Sequence, residues 1–147
     1  MRYDFDNKVA IVTGGAKGIG KEVVHGIHNG GGTVAVLDID DSAGKNLLGE
    51  LGNNDRYYHM DQANREEVNT IFRQIINDFQ TVDILINVAG IISAKSFSDL
   101  SPEEWDQTIQ ANLTGPFNTV KAIWEHFKNN KRGRIVNVSS VAGEIGG

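Results

Sequence analysis

Cysteine is absent from the 147 residues, so neither a disulfide framework nor a thiolate metal site is available. Basic excess is absent too: 14 Lys and Arg stand against 19 Asp and Glu, a formal net charge of −5. A phosphate-backbone binder carries a basic stripe, so nucleic acid and anionic membrane are disfavoured as partners. No apolar run approaches the length of a bilayer span, and residues 1–6 hold no apolar signal segment. A cytoplasmic protein is the resulting expectation. Proline is scarce, at 2 residues, while 39% of the chain is apolar and 22% charged, a globular rather than a disordered composition. The length suits one domain with a buried core. No linker, repeat or low-complexity segment divides it, so a single domain over residues 1–147 is expected.

What is present is alternation. Residues 9–13 (VAIVT), 33–37 (TVAVL), 83–87 (DILIN) and 134–138 (RIVNV) are short apolar, β-prone runs, and 56–60 (RYYHM) is a weaker one. Between them lie helix-period stripes. Val68, Ile71, Phe72, Ile75, Ile76 and Phe79 share one face of a helix over 64–79, with Asn64 as its cap and Glu67 in the place of a capping-box acid. Ser101-Pro102-Glu103-Glu104 is a second helix start. Leu113, Phe117, Val120, Trp124 and Phe127 form the stripe that follows, ended by residues 129–133. Ile19, Val23, Val24 and Ile27 form a shorter stripe, closed by Asn29-Gly30-Gly31-Gly32. Strands alternating with helices predict a parallel sheet covered on both faces.

Residues 13–20, TGGAKGIG, fall where the first strand meets the first helix. Glycines at such a junction allow a sharp turn, a close backbone approach to a pyrophosphate, and tight packing of helix on strand. The pyrophosphate would lie at the helix N-terminus, near unpaired N–H groups and the positive end of the dipole. Asp38 follows the second strand, about 20 residues on, where a carboxylate accepts hydrogen bonds from the adenosine ribose. Loop, helix and acid together predict dinucleotide binding. A carboxylate at Asp38 repels a 2′-phosphate and favours NAD over NADP. Lys17 pulls the other way, but a mobile surface ammonium is outweighed by a carboxylate in ribose contact.

At this point the sequence resembles the short-chain dehydrogenase/reductase family along its whole length. The resemblance rests on Thr13-Gly14-x-x-x-Gly18-Ile19-Gly20, Asp38, Asp61, Asn87-Val88-Ala89-Gly90, Asn112 and Ser140. It implies an α/β fold, a Rossmann-type doubly wound parallel sheet with strand order 3-2-1-4-5. Gly14, Lys17, Gly18 and Ile19 would line the pyrophosphate, and Gly20 would permit helix packing. Asp38 and Ile39 would flank the ribose, and Asp61 with Gln62 would approach the adenine. Asn87, Val88, Ala89 and Gly90 would run past the adenosine side through backbone contacts. Val88 departs from the family's usual second asparagine, which removes a side-chain hydrogen bond there. Asn112 would hold a water in a proton relay, and Ser140 would orient the substrate oxygen, with Ser139 beside it structural.

The implied reaction is hydride transfer between nicotinamide and a carbonyl or alcohol carbon of a small-molecule substrate. The family's acid/base is a tyrosine with a lysine four residues later, and the resemblance places this pair past Gly147. No substitute is evident. Tyr3 precedes the first strand, and Tyr57 and Tyr58 belong to the weak strand. His25 and His28 stand three apart on the first helix with no third ligand nearby, so solvation or packing is expected and no metal site. The expectation is therefore an N-terminal cofactor-binding part, truncated before the family's last helices and strands and inactive alone. Residues 134–139 would form an open sheet edge. The full-length parent would be a homo-oligomer, a dimer or tetramer, because the tyrosine-bearing helix commonly builds that interface. The alternative is a non-catalytic NAD-binding module, a sensor or scaffold; a nucleotide-sugar epimerase ranks below both.

Overall fold

Residues 4–141 are described in the computed structural model; Tyr3 and the glycine-rich tail from residue 142 lie outside them. Strand β1 (Val9–Thr13) is buried at every position but its first. A strand covered on both faces needs such an unbroken apolar run. It pairs in parallel with β2 (Thr33–Asp38) on one side and with β4 (Ile84–Asn87) on the other. β3 (Arg56–His59) adds beyond β2, and β5 (Arg134–Asn137) beyond β4. The sheet is parallel, as the alternation predicts, and its order is β3-β2-β1-β4-β5, as the resemblance implies. The weak aromatic run is thus a true strand, and each strand differs from its expected bounds by a residue at most.

Strand pleat divides the core in two. Ala10, Val12, Val34 and Val36 meet Val24 and Ile27 of α1 (Gly18–Asn29) and Leu47 of α2 (Asp41–Glu50) on one face. Ile11, Ala35, Leu37 and Leu85 meet Val68, Phe72 and Ile75 of α3 (Arg65–Phe79) and Ile123 and Phe127 of α5 (Gly115–Asn129) on the other. Right-handed crossovers explain the division, since the chain builds outward from β1 in one direction and then in the opposite one. α1 ends where expected, with Gly31 at φ 88° and the N–H of Gly32 on the Ile27 carbonyl. α4 (Pro102–Ile109) starts on a full capping box between Ser101 and Glu104.

Three expectations are corrected. Asn64 caps α3 through the N–H groups of Glu66 and Glu67, but the Asn64 N–H donates to the Asp61 carbonyl, so Glu67 closes no box. Leu113, Phe117 and Trp124 do not face the core; they are 66%, 57% and 51% exposed. Phe127 of the same stripe is buried as expected, and Asn118, Thr119 and Ile123 complete the buried face of α5. Ile19 is also exposed, at the head of α1. Between α4 and α5 the helix does not stop but widens into a π-turn over Gln110–Thr114. Among the described residues, β5 is a sheet edge, and no helix is long and apolar enough to cross a membrane.

Candidate functional site

In the strand register Thr13 stands opposite both Leu37 and Asn87, so β1, β2 and β4 end level with one another. The sheet order also reverses beside β1. An open α/β sheet binds ligands in the crevice beyond such strand ends. A cleft of about 420 Å³ lies there. Gly14, Lys17, Gly18, Ile19, Gly20, Asp38, Ile39, Asp61, Gln62, Val88, Ala89 and Gly90 line it, together with Thr13, Leu37, Met60, Ile91 and Ala111.

The glycine loop is shaped by contacts that a side chain would break. Gly14 has φ 63°, and an added Cβ would sit 2.7 Å from the Cα of Ala89. A Cβ on Gly20 would sit 2.0 Å from the Gly14 carbonyl oxygen, so this residue lets α1 close on the loop. Gly18 has φ 50° and meets nothing, leaving its surroundings open. No side chain caps α1, and its first turn holds no acid, whereas α2, α3 and α4 are all capped by side chains. Uncapped N–H groups and the positive end of the dipole suit that end to an anion. These features fit the pyrophosphate of a dinucleotide.

Asp38 is tied to the loop. Its Oδ2 accepts from the Ala16 N–H at 3.1 Å and its Oδ1 from the Asp40 N–H at 3.0 Å. Each oxygen keeps a lone pair for a hydroxyl donor. The Lys17 ammonium is paired with Asp40. The hydrogen bond that its ammonium donates to Asp40 raises Lys17 above its ordinary pKa. Asp40 is lowered, first by the Ala43 N–H that it caps and then by Lys17. Asp61 is exposed at the cleft and accepts from the Ala63 N–H.

Three predicted residues stand outside the cleft lining. Asn87 is 3% exposed and joins its neighbours: Thr119 Oγ1 donates to its Oδ1, and its Nδ2 donates to Asn137 Oδ1, both at 2.8 Å. Asn112 lies in the π-turn, and its amide brackets one residue, accepting from Ile91 N–H and donating to Ile91 O at 2.8 Å each. Ser140 is exposed just past β5. Val88 turns its side chain into the core on the α1 face. The N–H groups of Val88 and Ala89 both reach Thr13 Oγ1 at 3.2 Å. Thr13 therefore holds β4 to the loop, a role its place at the head of the glycine motif could have signalled. Leu37, Met60, Ile91 and Ala111 carry no sequence signal, since only the crossing of strand ends brings them to the cleft.

The two described tyrosines are poor proton donors. Burial and then a hydrogen bond to Asp41 raise Tyr57 far above its ordinary pKa, and burial and then Asp78 do the same to Tyr58. His25 faces Glu50 at 3.3 Å and His28 faces Asp55 at 2.8 Å, so the two rings take separate carboxylates. Among the described residues no cluster of His, Cys, Asp and Glu could hold a metal ion.

A family model described as short chain dehydrogenase matches residues 8–147. The chain is 32% identical over 143 residues to 3-oxoacyl-(acyl-carrier-protein) reductase of Vibrio cholerae, covering 97% of this chain and 59% of that protein. It is 34% identical over 139 residues to 3-alpha-(or 20-beta)-hydroxysteroid dehydrogenase of Mycobacterium tuberculosis, covering 95% and 54%. The crystal structure of gox2181 superimposes with a TM-score of 0.92 at 32% identity, over 96% of this chain and 56% of that one. The chain thus spans a little over half the length of the relatives it matches. That family consists of oxidoreductases that use NAD or NADP on carbonyl and alcohol substrates, and with its model matched from residue 8 onward, this chain belongs to the short-chain dehydrogenase family.

Proposed function

We propose that these residues form the cofactor-binding part of an NAD-dependent oxidoreductase. The parent protein would move a hydride between nicotinamide and the carbonyl or alcohol carbon of a small substrate. The observation that carries this reading is the cleft, with its uncapped helix start at one side and Asp38 at the other. When bound, the dinucleotide supplies the hydride acceptor or donor. The chain's own residues hold and orient it. Gly14, Gly18 and Ile19 flank the pyrophosphate, Gly20 closes the helix on the loop, Asp38 and Ile39 hold the ribose, and Asp61 faces the adenine. Lys17 does not oppose the NAD preference, because Asp40 engages its ammonium beside Asp38.

Ser140 orients the substrate oxygen at the mouth of β5, and Asn87 steadies that strand through Asn137. Asn112 serves the proton relay through its carbonyl, because its side chain is committed to Ile91. The α-helical donor for that carbonyl would be residue 116, a proline without an N–H. The family's tyrosine and lysine are not among residues 1–147, and the two described tyrosines are not poised to replace them. These residues alone therefore bind cofactor without turnover, and the parent protein assembles as a homo-oligomer.

Titration of the chain with NAD and NADP tests the reading. NAD is expected to bind more tightly, and Asp38→Asn to narrow the gap by about tenfold. Tighter NADP binding by the unaltered chain would sink the cofactor assignment. Turnover of NAD with a panel of alcohols would sink the claim that these residues are inactive alone.

A further inference from the structure

Gln62 is 6% exposed and sits where three parts of the site meet. Its Nε2 donates to two carbonyl oxygens, Ala89 at 3.0 Å and Ala111 at 2.8 Å. Both amide protons are thereby engaged. Turning the amide over would set its oxygen against those two carbonyls, so its orientation is determined. Oε1 is left enclosed without a hydrogen-bond partner. A buried, half-satisfied amide is costly unless its two donated bonds matter.

The π-turn shows why they matter. Gly115 N–H donates to the Gln110 carbonyl, and residue 116 is proline. The helix thus has no N–H of its own to offer Ala111, and Gln62 supplies one from outside. Gly115 is also the space that Gln62 occupies, since an added Cβ there would lie 2.6 Å from Gln62 Cγ. The Gln62 carbonyl in turn accepts from Asn118 Nδ2 at 3.0 Å, which fastens the clamp to α5. Ala111 precedes Asn112, whose amide brackets Ile91, and Ala89 precedes Gly90 on the way to the same Ile91. The loop that faces the cofactor and the turn that carries Asn112 are therefore joined twice, at Ile91 and at Gln62.

We infer that Gln62 is a positioning residue, tying the cofactor loop 88–90 to the Asn112 turn so that dinucleotide binding and the setting of Asn112 against Ile91 depend on one another. This rests on the cofactor reading above. The contact that would read the nucleotide base belongs to Asp61, while Gln62 acts from beneath.

The test uses the 147-residue chain, calorimetric titration with NAD, and amide-resolved NMR hydrogen exchange without and with NAD. Gln62→Met keeps the length of the side chain and loses both donors. We expect its NAD affinity to fall by about tenfold, and the Ile91 amide to exchange about tenfold faster than the change at the core amide of Val36 accounts for. A merely structural loss would move Ile91 and Val36 alike. Either quantity within about twofold of the unaltered chain overturns the inference. If Gln62→Met does not fold, Gln62→Glu decides the matter. Its protonated carboxyl can still donate one bond, whereas its carboxylate faces two carbonyls with none. Its NAD affinity relative to the unaltered chain should drop as pH rises from about 5 to about 8, and a constant ratio overturns the inference. If the unaltered chain binds no dinucleotide, the cofactor reading fails. The Ile91 exchange then decides the clamp by itself, with unchanged protection in the variants overturning it.

Discussion

Gly20 and Gly18 stand two apart at the head of α1 and need glycine for different reasons. At Gly20 the obstacle is the Gly14 carbonyl, 2.0 Å from where a Cβ would be. At Gly18 it is the backbone angle, with open space around it. Gly20→Ala forces backbone against backbone, so we expect calorimetric titration to show no measurable NAD binding and urea unfolding to show a loss of about 1–3 kcal/mol. Gly18→Ala should fold with a cost of about 1 kcal/mol. The loop, Asp38 and their spacing were legible in the sequence because they are local: a turn, a helix start and an acid two elements away. The partners of those residues were not. Nothing in the spacing says that Lys17 turns to Asp40, or that Gln62 crosses from the β3 side to hold Ala111.

At the scale of elements, the stripe on α5 was misread for a physical reason. Its core-facing side carries Asn118 and Thr119, each nearly fully buried and each bonded to the site, through Gln62 and Asn87. Apolar counting passes over polar residues and so selects Phe117 and Trp124 on the far side. α2 has a similar hidden constraint. Gly44 is buried inside the helix, and an added Cβ would lie 2.2 Å from the Tyr57 ring. Helix propensity alone favours alanine there by about 1 kcal/mol. We expect Gly44→Ala instead to destabilise by about 1–3 kcal/mol, measured by urea unfolding; a gain in stability would show that the ring moves aside freely. His126 links α5 to the approach to β4, since the buried Val82 N–H donates to its Nε2 at 3.0 Å. His126→Leu leaves that N–H unpaired, and a loss of about 1–3 kcal/mol is expected. His126→Gln, which restores an acceptor, should recover part of it.

At the scale of the whole molecule, charge and burial shape the response to pH. Tyr57 and Tyr58 both have folded-state pKa values raised above the ordinary tyrosine value, first by burial and then by a carboxylate. The sign follows from which form is favoured: the neutral phenol is preferred in the fold. Their contribution is complete below the unfolded value of about 10 and is lost as pH rises above it. Thermal melts from about pH 8 to about pH 11 should therefore fall at the alkaline end. Tyr58→Phe should fall less steeply there, and an equal slope would remove the attribution. The carboxylates Asp40, Asp41, Glu50, Glu103 and Glu104 are lowered by their hydrogen bonds, so what they add is lost in the opposite direction, as pH falls through their depressed values.

By itself the sequence determined the parallel alternating architecture, the junction at which a dinucleotide would sit, and the acid proposed to face its ribose. Those depend on period, on glycine and on short spacings, which act within neighbouring elements. Only the tertiary structure decided that β1, β2 and β4 end level around a cleft, that Asn112 is engaged with Ile91 in a π-turn, and that Gln62 closes over a carbonyl left without a donor beside Pro116. Such contacts join residues far apart in the chain. They follow from which buried polar groups remain unpaired once the sheet and helices have packed, and that is settled by the fold as a whole.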